Sequence, residues 1–343
     1  MKNKRHSIKD IASKLNVSVT TVSFVLNGKA KEMRISDLVA KKIIEYTEKI
    51  NYKPNRVAQS LRTGKSKIIV FMVEDISNFF FAKIARIIED IAYEKGYKVL
   101  FCSNENEDEK SLELIDLFRV LQVDGYIIIP SGGIEDKIAS LISENIPVVL
   151  FDRYFPGLDT NYVIIDNENA SFNATAHLAE NKFQNIGFIT TDVEQTQMLD
   201  RLKGYKMAIK EYNLNENILQ ISYKEKVSAI GKKDILEFFK TNPKLDSVFF
   251  ATNYLTQIGL EVIKENFPSL VNEIGIITFD DNDFFKIFNP PISAISQPLF
   301  KIGSELMDIM LNLLNDTNKA LPPKRVVLKS KLQVRNSSYE KIR

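Results

Sequence analysis

From residue 67 onward, short apolar segments alternate with amphipathic segments of helical length, and this pattern constrains the fold more than any other feature. The apolar segments, which we predict to be strands, are 68–73, 99–102, 125–129, 148–151, 163–165, 186–190, 247–251 and 275–279. Helices are predicted between most of them, including 80–95, 110–121, 170–180, 201–212 and 256–265. Such alternation is typical of parallel sheets covered on both faces. Because roughly 270 residues exceed what one sheet normally organises, the pattern predicts an α/β core of two doubly wound lobes.

The segment before this core has a different pattern, in which three short helices are each opened by a serine. Ser7 and Asp10 match a capping box, while Ser18 and Ser36 can cap a second and a third helix. The second helix is expected to end at Asn27 and Gly28. The apolar positions at helical spacing are Ile8, Ile11, Ala12, Leu15, Val22, Val25, Leu26, Leu38, Val39, Ile43, Tyr46 and Ile50. The pattern predicts a small all-α head.

Charge is divided unevenly between the head and the core. Residues 1–65 contain 15 Lys and Arg against 5 Asp and Glu, a net of +10, so the rest of the +2 chain carries −8. A basic head on an acidic body is typical of a protein whose head binds nucleic acid. A solvated basic face without a partner, or a helical bundle for protein contacts, would have the same composition.

The first two helices and the tight turn between them match a helix-turn-helix, whose second helix enters the DNA major groove. The side chains that this helix would present are Ser18, Val19, Thr20, Thr21, Ser23 and Phe24. Hydroxyl groups can bond phosphates or base edges, and apolar groups can contact a thymine methyl. The pattern therefore predicts sequence-specific binding to double-stranded DNA.

Five ordered motifs resemble the lactose-repressor/galactose-repressor family of transcription regulators. They are SIKDIA from Ser7, VSVTTVS from Val17, VLNG from Val25, NYKPNRVAQSLRTG from Asn51 and DISNFF from Asp75. The resemblance continues through GIITFDD from Gly275 and the Gln297–Pro298 pair. It implies a helix-turn-helix domain at 1–53, a hinge helix at 54–66, a ligand-binding and dimerisation core at 67–338 and a tail at 339–343.

The resemblance adds further DNA-binding candidates to the recognition helix. They are Ser7, Asn27, Ser36 and Tyr52 in the head and Asn55, Arg56, Ala58, Gln59 and Leu61 in the hinge. Leu61 matches a leucine that family members insert into the minor groove at the operator's centre; otherwise it is an ordinary linker residue. Because two hinges must meet there, the resemblance implies a homodimer on a pseudo-palindromic operator. The C-terminus has no leucine heptads, so we expect no tetramer.

Two departures from the family pattern affect the choice of operator. Phe24 stands where an arginine is usual, so a bidentate guanine contact cannot form at that position. The loop 28–34 is about three residues longer than is usual. The operator sequence therefore cannot be transferred from relatives.

For the core, the resemblance implies a fold like the type I periplasmic binding proteins, with an effector in the cleft between lobes. We expect an N-lobe at 67–165 plus 294–323 and a C-lobe at 166–293 plus 324–338. The candidate effector-binding residues are Asn78, Phe79, Phe80, Asp152, Asp166, Arg201, Asn253, Tyr254, Asp280 and Gln297. Alternatively, the aspartates cap helices, Arg201 forms a surface ion pair, and the phenylalanines belong to the core.

Carboxylates and a guanidinium can hydrogen-bond to neighbouring hydroxyls, and a phenylalanine ring can stack on the apolar face of a sugar ring. We therefore expect a carbohydrate effector, with a nucleobase as the alternative. Tyr254 replaces an aspartate that many sugar-binding members have, so the particular sugar is not predicted.

The other classes lack their signatures. A secreted sugar receptor would need a signal segment and no basic head, whereas this chain has the reverse. A kinase or dehydrogenase would need a phosphate loop, but Gln59 occupies the glycine position before Gly64-Lys65-Ser66. His6 and His177 lack companions at metal-ligand spacing, and Cys102 is alone. We expect no enzyme activity, cofactor, metal or membrane span, and a cytoplasmic location.

Overall fold

The computed structural model describes residues 6–52, 64–226, 228–316 and 322–339. The chain divides into two compact units, with the boundary between Ser66 and Lys67. Most of the predicted hinge, including Asn55, Arg56, Ala58, Gln59 and Leu61, lies outside the described residues.

The first unit contains three helices: α1 (Ile8–Leu15), α2 (Val19–Leu26) and α3 (Asp37–Lys49). All three predicted serine caps are confirmed, since the side chains of Ser7, Ser18 and Ser36 accept from backbone N–H groups three residues on. Asp10 completes the capping box at Ser7. The helices enclose a small core whose fully buried members are Ile11, Val22 and Ile43. Local capping and apolar spacing therefore define this unit.

One predicted core position in the head is wrong. Leu38 was expected on the apolar stripe of α3, but it is 68% exposed. Five positions separate it from the buried Ile43, and at about 100° per residue they differ by about 140° around the helix. Leu38 therefore points away from the face that packs on α1 and α2.

The second unit contains two six-stranded sheets, with helices between most successive strands. The first lobe, the N-lobe, begins with β1 (Ile68–Val73), α4 (Phe79–Glu94), β2 (Lys98–Ser103), α5 (Asp108–Val120), β3 (Gly125–Ile128), α6 (Glu135–Ser143), β4 (Val148–Phe151) and β5 (Asn161–Ile165). The second lobe, the C-lobe, follows with α7 (Asn167–Glu180), β6 (Ile186–Thr191), α8 (Thr196–Glu211), β7 (Asn217–Ile221), α9 (Ala229–Thr241), β8 (Ser247–Phe250), α10 (Asn253–Asn266), β9 (Gly275–Phe279), α11 (Asp283–Ile287) and β10 (Ser293–Ser296). The chain ends with α12 (Leu299–Asn315), β11 (Arg325–Leu328) and β12 (Lys331–Gln333).

The sheet order is β11-β5-β4-β3-β1-β2 in the N-lobe and β12-β10-β9-β8-β6-β7 in the C-lobe. All neighbours are parallel except β10 and β12, which are antiparallel. The central strands β3, β4, β8 and β9 are buried along their whole length. The prediction of two doubly wound lobes is confirmed.

Two lobe boundaries differ from those expected. β10 belongs to the C-lobe because it pairs with β9, although 294–323 was assigned to the N-lobe. β11 belongs to the N-lobe because it pairs with β5, although 324–338 was assigned to the C-lobe. The chain therefore crosses between lobes after β5, after β10 and after β11.

Among the described residues, no helix is both long and apolar enough to cross a bilayer.

Candidate functional site

The exposed face of α2 is the candidate DNA-contacting surface. Val19 is 40% exposed, Thr20 is exposed, and Thr21, Ser23 and Phe24 are half-buried. None of these side chains is buried in the core of the head; the buried residues of α2 are Val22 and Val25. α2 therefore holds one face in the core and leaves the predicted face free for a groove.

The remaining described candidates in the head have local structural partners. The hydroxyls of Ser7, Ser18 and Ser36 cap helices, so the N-termini that they open are the sites where phosphates could bind. Asn27 donates from Nδ2 to the carbonyl of Ser23 at 2.7 Å. Tyr52 packs against the core of the head, and burial raises its pKa. Their role in DNA binding stays a prediction.

In the second unit, a cleft of about 450 Å³, counting solvent at its mouth, opens at the carboxyl ends of strands from both lobes. Seven predicted effector-binding residues line it: Asn78, Phe80, Asp152, Arg201, Asn253, Tyr254 and Asp280. A second groove, along α8, receives no strand end and is lined by aliphatic side chains, lysines and one glutamate.

Two aspartates occupy equivalent places in the two lobes. Asp152 follows β4 and Asp280 follows β9, and both have a left-handed backbone, with φ of 68° and 71°. Burial raises the pKa of Asp152 to about 6, against the opposing effect of Arg153 and Arg201. Burial also raises the pKa of Asp280, which accepts from Gln297 Nε2 at 2.6 Å. Buried carboxylates at strand ends suit the binding of ligand hydroxyls.

Arg201 is buried with 3% exposure and is fixed on three sides. Its Nε donates to Asn167 Oδ1 at 2.9 Å and one Nη to the carbonyl of Ala251 at 2.8 Å. Its guanidinium carbon lies 3.6 Å from the centroid of the Phe279 ring. The alternative of a surface ion pair is wrong, since this arginine is held inside the cleft wall with a fixed orientation.

An amide pair joins the two lobes across the cleft. Asn78 Nδ2 donates to Asn253 Oδ1 at 3.2 Å, and Asn253 Nδ2 donates to Asn78 Oδ1 at 3.1 Å. Asn78 caps α4 of the N-lobe, and Asn253 begins α10 of the C-lobe. Movement of one lobe relative to the other must therefore break or bend this pair.

Three predicted effector-binding residues do not line the cleft. Asp166 accepts from the backbone N–H and hydroxyl of Ser330 and so fixes the chain where it crosses after β11. Gln297 stands behind Asp280 as its hydrogen-bond donor. Phe79 lies half-buried beneath the ammonium of Lys83, at 4.0 Å from ring centroid to Nζ. A part for these residues in effector binding stays a prediction.

The sequence matches two protein families, one over the three-helix head and one over much of the two-lobed core. Residues 7–55 match the bacterial regulatory proteins of the lacI family, and residues 175–338 match a periplasmic binding protein-like domain. The HTH-type transcriptional regulator RegA of Clostridium saccharobutylicum is 30% identical over 335 residues, which are 97% of this chain and 99% of RegA. The chain belongs to the lacI family.

Other proteins similar to this lacI-family chain support the same family assignment. Catabolite control protein A of Priestia megaterium is 28% identical over 90% of this chain and 92% of its own length. Among solved structures, the lac repressor dimer bound to operator and an anti-inducer has a TM-score of 0.81, at 20% identity, over 98% of this chain and all of that chain. The protein is thus a DNA-binding transcription regulator with a ligand-binding core, and the predicted family and fold are confirmed.

Several residues that line the cleft of this lacI-family protein were not predicted from the sequence. They are Glu74, Phe81, Thr191, Val193, Gln195, Gln197, Met198, Tyr223 and Thr252, with Arg153 directly behind Glu74. Tyr223 lies beside Glu74, and burial raises its pKa, followed by the effect of that carboxylate. Arg153 follows the same strand end as Asp152, so extending the strand-end rule by one residue would have found it.

We expect stability to depend on pH through Asp152. Its pKa is raised to about 6 from the ordinary value of 3.8, which means that the folded state binds this proton more tightly than the unfolded state does. The contribution of this group to the free energy of unfolding is therefore fully present below pH about 4, and it is lost as the pH rises to about 6. Asp152→Asn should therefore raise the melting temperature of the effector-free protein by a gain that grows over this window and levels off above it. A constant gain from pH 4 to 8 in thermal unfolding would contradict this cause.

Proposed function

We propose that two copies of this regulator bind a pseudo-palindromic operator through α2, and that a carbohydrate bound in the cleft changes operator affinity. The observation that best supports the carbohydrate is the lining of the cleft by Asp152 and Asp280, each directly after a strand, and by the buried Arg201 of α8. Carboxylates and a fixed guanidinium can bind several hydroxyls of one small molecule at once. Aromatic groups complete the site, since Phe80, Tyr223 and Tyr254 also line it.

Two solved structures of similar fold contain sugars. The Cra regulator of Pseudomonas putida was solved with fructose 1-phosphate, at 21% identity and a TM-score of 0.72 over 78% of this chain and 98% of that chain. A lacI-type regulator of Alkaliphilus metalliredigens was solved with D-xylulofuranose, at 23% identity and a TM-score of 0.68 over 79% of this chain and 99% of that chain. The fold of these neighbours supports a cleft that accepts sugars, and the side chains decide which sugar enters.

A thermal-shift screen tests the carbohydrate. The full chain is heated with free pentoses and hexoses, their phosphate esters, and nucleobases as the alternative class. A ligand at 100 times its Kd stabilises the folded state by about 2.7 kcal/mol, and this appears as a rise in melting temperature. A rise with a nucleobase and with no sugar would reject the carbohydrate.

The link between effector and operator needs only a modest free energy. The three crossings between lobes after β5, β10 and β11 let one lobe move while both stay joined. A coupling of about 1–3 kcal/mol changes operator affinity by about 5- to 150-fold. The same factor must appear in the effector affinity when operator is bound, because coupling is reciprocal.

The DNA interface can be tested on α2. Thr20→Asp places a negative charge on an exposed position of the recognition helix, where it meets phosphates and base edges, and it leaves the core of the head intact. We expect at least a tenfold weaker affinity for an operator selected from a random duplex pool, measured by gel shift at physiological salt. Glu45→Asp on α3 keeps its charge and serves as the control. Equal binding by the Thr20→Asp variant would place the DNA elsewhere.

The homodimer is supported by exposed apolar side chains that a monomer would leave in water. They are Phe101, Leu117, Val120 and Leu121 in the N-lobe and Phe284 and Ile287 in the C-lobe. Val120 is 81% and Ile287 82% exposed, and a second copy of this chain would bury them.

We expect Val120→Glu to convert the dimer to a monomer in analytical ultracentrifugation, because the interface would have to bury a charge. Leu199→Glu, on α8 of the other lobe, is the matched control and should remain dimeric. A Val120→Glu protein that sediments as a dimer would move the interface away from α5.

A further inference from the structure

Four polar side chains form a hydrogen-bonded chain from the N-lobe to the C-lobe wall of the cleft. Arg153 donates from one Nη to Asn106 Oδ1 at 3.1 Å, and Gln195 Nε2 donates to the same oxygen. Gln197 Nε2 then lies 3.4 Å from Gln195 Oε1. Gln195 and Gln197 line the cleft, while Arg153 and Asn106 support them from behind. We call these four residues the amide relay.

The direction of every bond in the amide relay follows from Arg153. A guanidinium only donates, so the atom of Asn106 that faces it must be the oxygen. That oxygen requires a donor from Gln195, which turns Gln195 Oε1 toward Gln197. Gln197 donates to it from Nε2, and its own Oε1 is left without a hydrogen bond. Because Arg153 at one end of the relay can only donate, the atom left at the other end is an acceptor, Gln197 Oε1.

Among the described residues, the acceptor left by the relay has no protein partner. Gln197 Oε1 is buried without a hydrogen bond, and Gln197 as a whole is 5% exposed. Thr191 Oγ1, also on the cleft lining, is buried in the same condition. Leaving a buried polar atom unpaired is unfavourable, because the atom has lost its hydrogen bonds to water. The two atoms therefore favour a ligand that brings at least one donor.

The charges around the relay do not provide a site for an anion. The second Nη of Arg153 donates to Glu74 Oε2 at 3.1 Å, and its Nε, which is buried without a hydrogen bond, lies 4.0 Å from Asp152 Oδ2. The positive charge of Arg153 is therefore already paired with two carboxylates. Glu74 itself lines the cleft, as does Gln197 with its acceptor oxygen. A phosphate or carboxylate placed here would meet acceptors and no donor from Gln197.

We propose that the amide relay makes Gln197 a selector for an uncharged hydroxyl of the effector and excludes phosphorylated or acidic sugars from this end of the cleft. This inference rests on the proposed carbohydrate function. It makes Gln197 and Thr191 the ligand-contacting residues, and Asn106 a positioning residue that acts through Gln195.

The test compares free sugars with their own phosphate esters: glucose, galactose, fructose and ribose against a phosphate monoester of each, by isothermal titration with the full chain. The sugar that binds should do so at least about tenfold more tightly than its ester. Gln197→Met keeps the side-chain volume and removes the acceptor, and it should weaken the free sugar by about 5- to 150-fold.

Asn106 gives the matched pair of variants. Asn106→Leu removes the oxygen that orders Gln195 and Gln197, so Gln197 can turn its NH₂ to the cleft, and the preference for the free sugar should shrink toward one. Asn106→Asp keeps an acceptor for both donors and should retain the preference. This ratio, unlike overall affinity, does not move through loss of stability alone.

An ester that binds wild type as tightly as its free sugar would overturn the selector. An unchanged ratio in Asn106→Leu would overturn the relay. If no sugar and no ester binds, the carbohydrate proposal fails and this inference fails with it.

Discussion

Replacing Arg201 by methionine is expected to weaken effector binding by about 100-fold, because each charge-assisted hydrogen bond lost costs about 1.5–3 kcal/mol. The guanidinium is already oriented by Asn167, the carbonyl of Ala251 and the Phe279 ring, so little ordering is needed when ligand binds. It also opposes the negative charge of Asp152 and Asp280. Titration calorimetry with the sugar found by thermal shift measures the loss.

Two controls make the Arg201 result specific. Lys203→Met removes a cation from the same helix at a side chain that is 64% exposed, and its sugar affinity should equal that of wild type. Arg201→Lys keeps the charge without the planar fork, and its affinity should be intermediate. Wild-type affinity in a folded Arg201→Met protein would remove Arg201 from the site.

The second large effect is expected at Gly204 of α8, which packs against the backbone of α7. A Cβ at this position would lie 2.1 Å from the carbonyl oxygen of Glu168 and 2.9 Å from the backbone nitrogen of Phe172. Helix propensity alone would make Gly204→Ala more stable by about 1 kcal/mol. The contact with backbone reverses this sign, and we expect a loss of about 3 kcal/mol, at the upper end for overpacking.

In thermal unfolding, the Gly204→Ala protein should melt roughly 5–10 °C below wild type. Gly132→Ala is the control, since a Cβ there meets nothing within 4 Å. An unchanged or raised melting temperature for Gly204→Ala would show that α7 and α8 can separate without cost.

Much of the fold could be predicted from local pattern. All eight predicted strands exist, because each is an apolar run that a covered parallel sheet requires. Four strands were not predicted, namely β7, β10, β11 and β12. None of them contains an uninterrupted apolar run of more than three residues. The lobe boundaries depend on pairing between strands far apart in the chain, such as β11 with β5, and no local pattern specifies that.

The candidate site shows the same division. Asp152, Asp280 and Arg201 were found because each stands in a motif or directly after an apolar strand. Asn106 and Gln197 lie in a loop and on a helix with no distinctive pattern. Asn106 bonds Gln195 of the other lobe, and Gln197 is linked to Asn106 only through Gln195. The sequence thus predicts which ends of strands meet, and the structure adds the side chains that approach from elsewhere.

The order of strands has a consequence for synthesis on the ribosome. The N-lobe sheet is completed only by β11, which follows strands β6 to β10 of the C-lobe in the chain. The crossing after β11 then supplies β12 to the C-lobe sheet. Neither lobe can close from a nascent chain that stops before residue 325. At about 5–20 residues per second, the three-helix head is free of the ribosome for roughly 10–60 s before the effector cleft exists. A newly made head therefore goes through a period in which no sugar can regulate it.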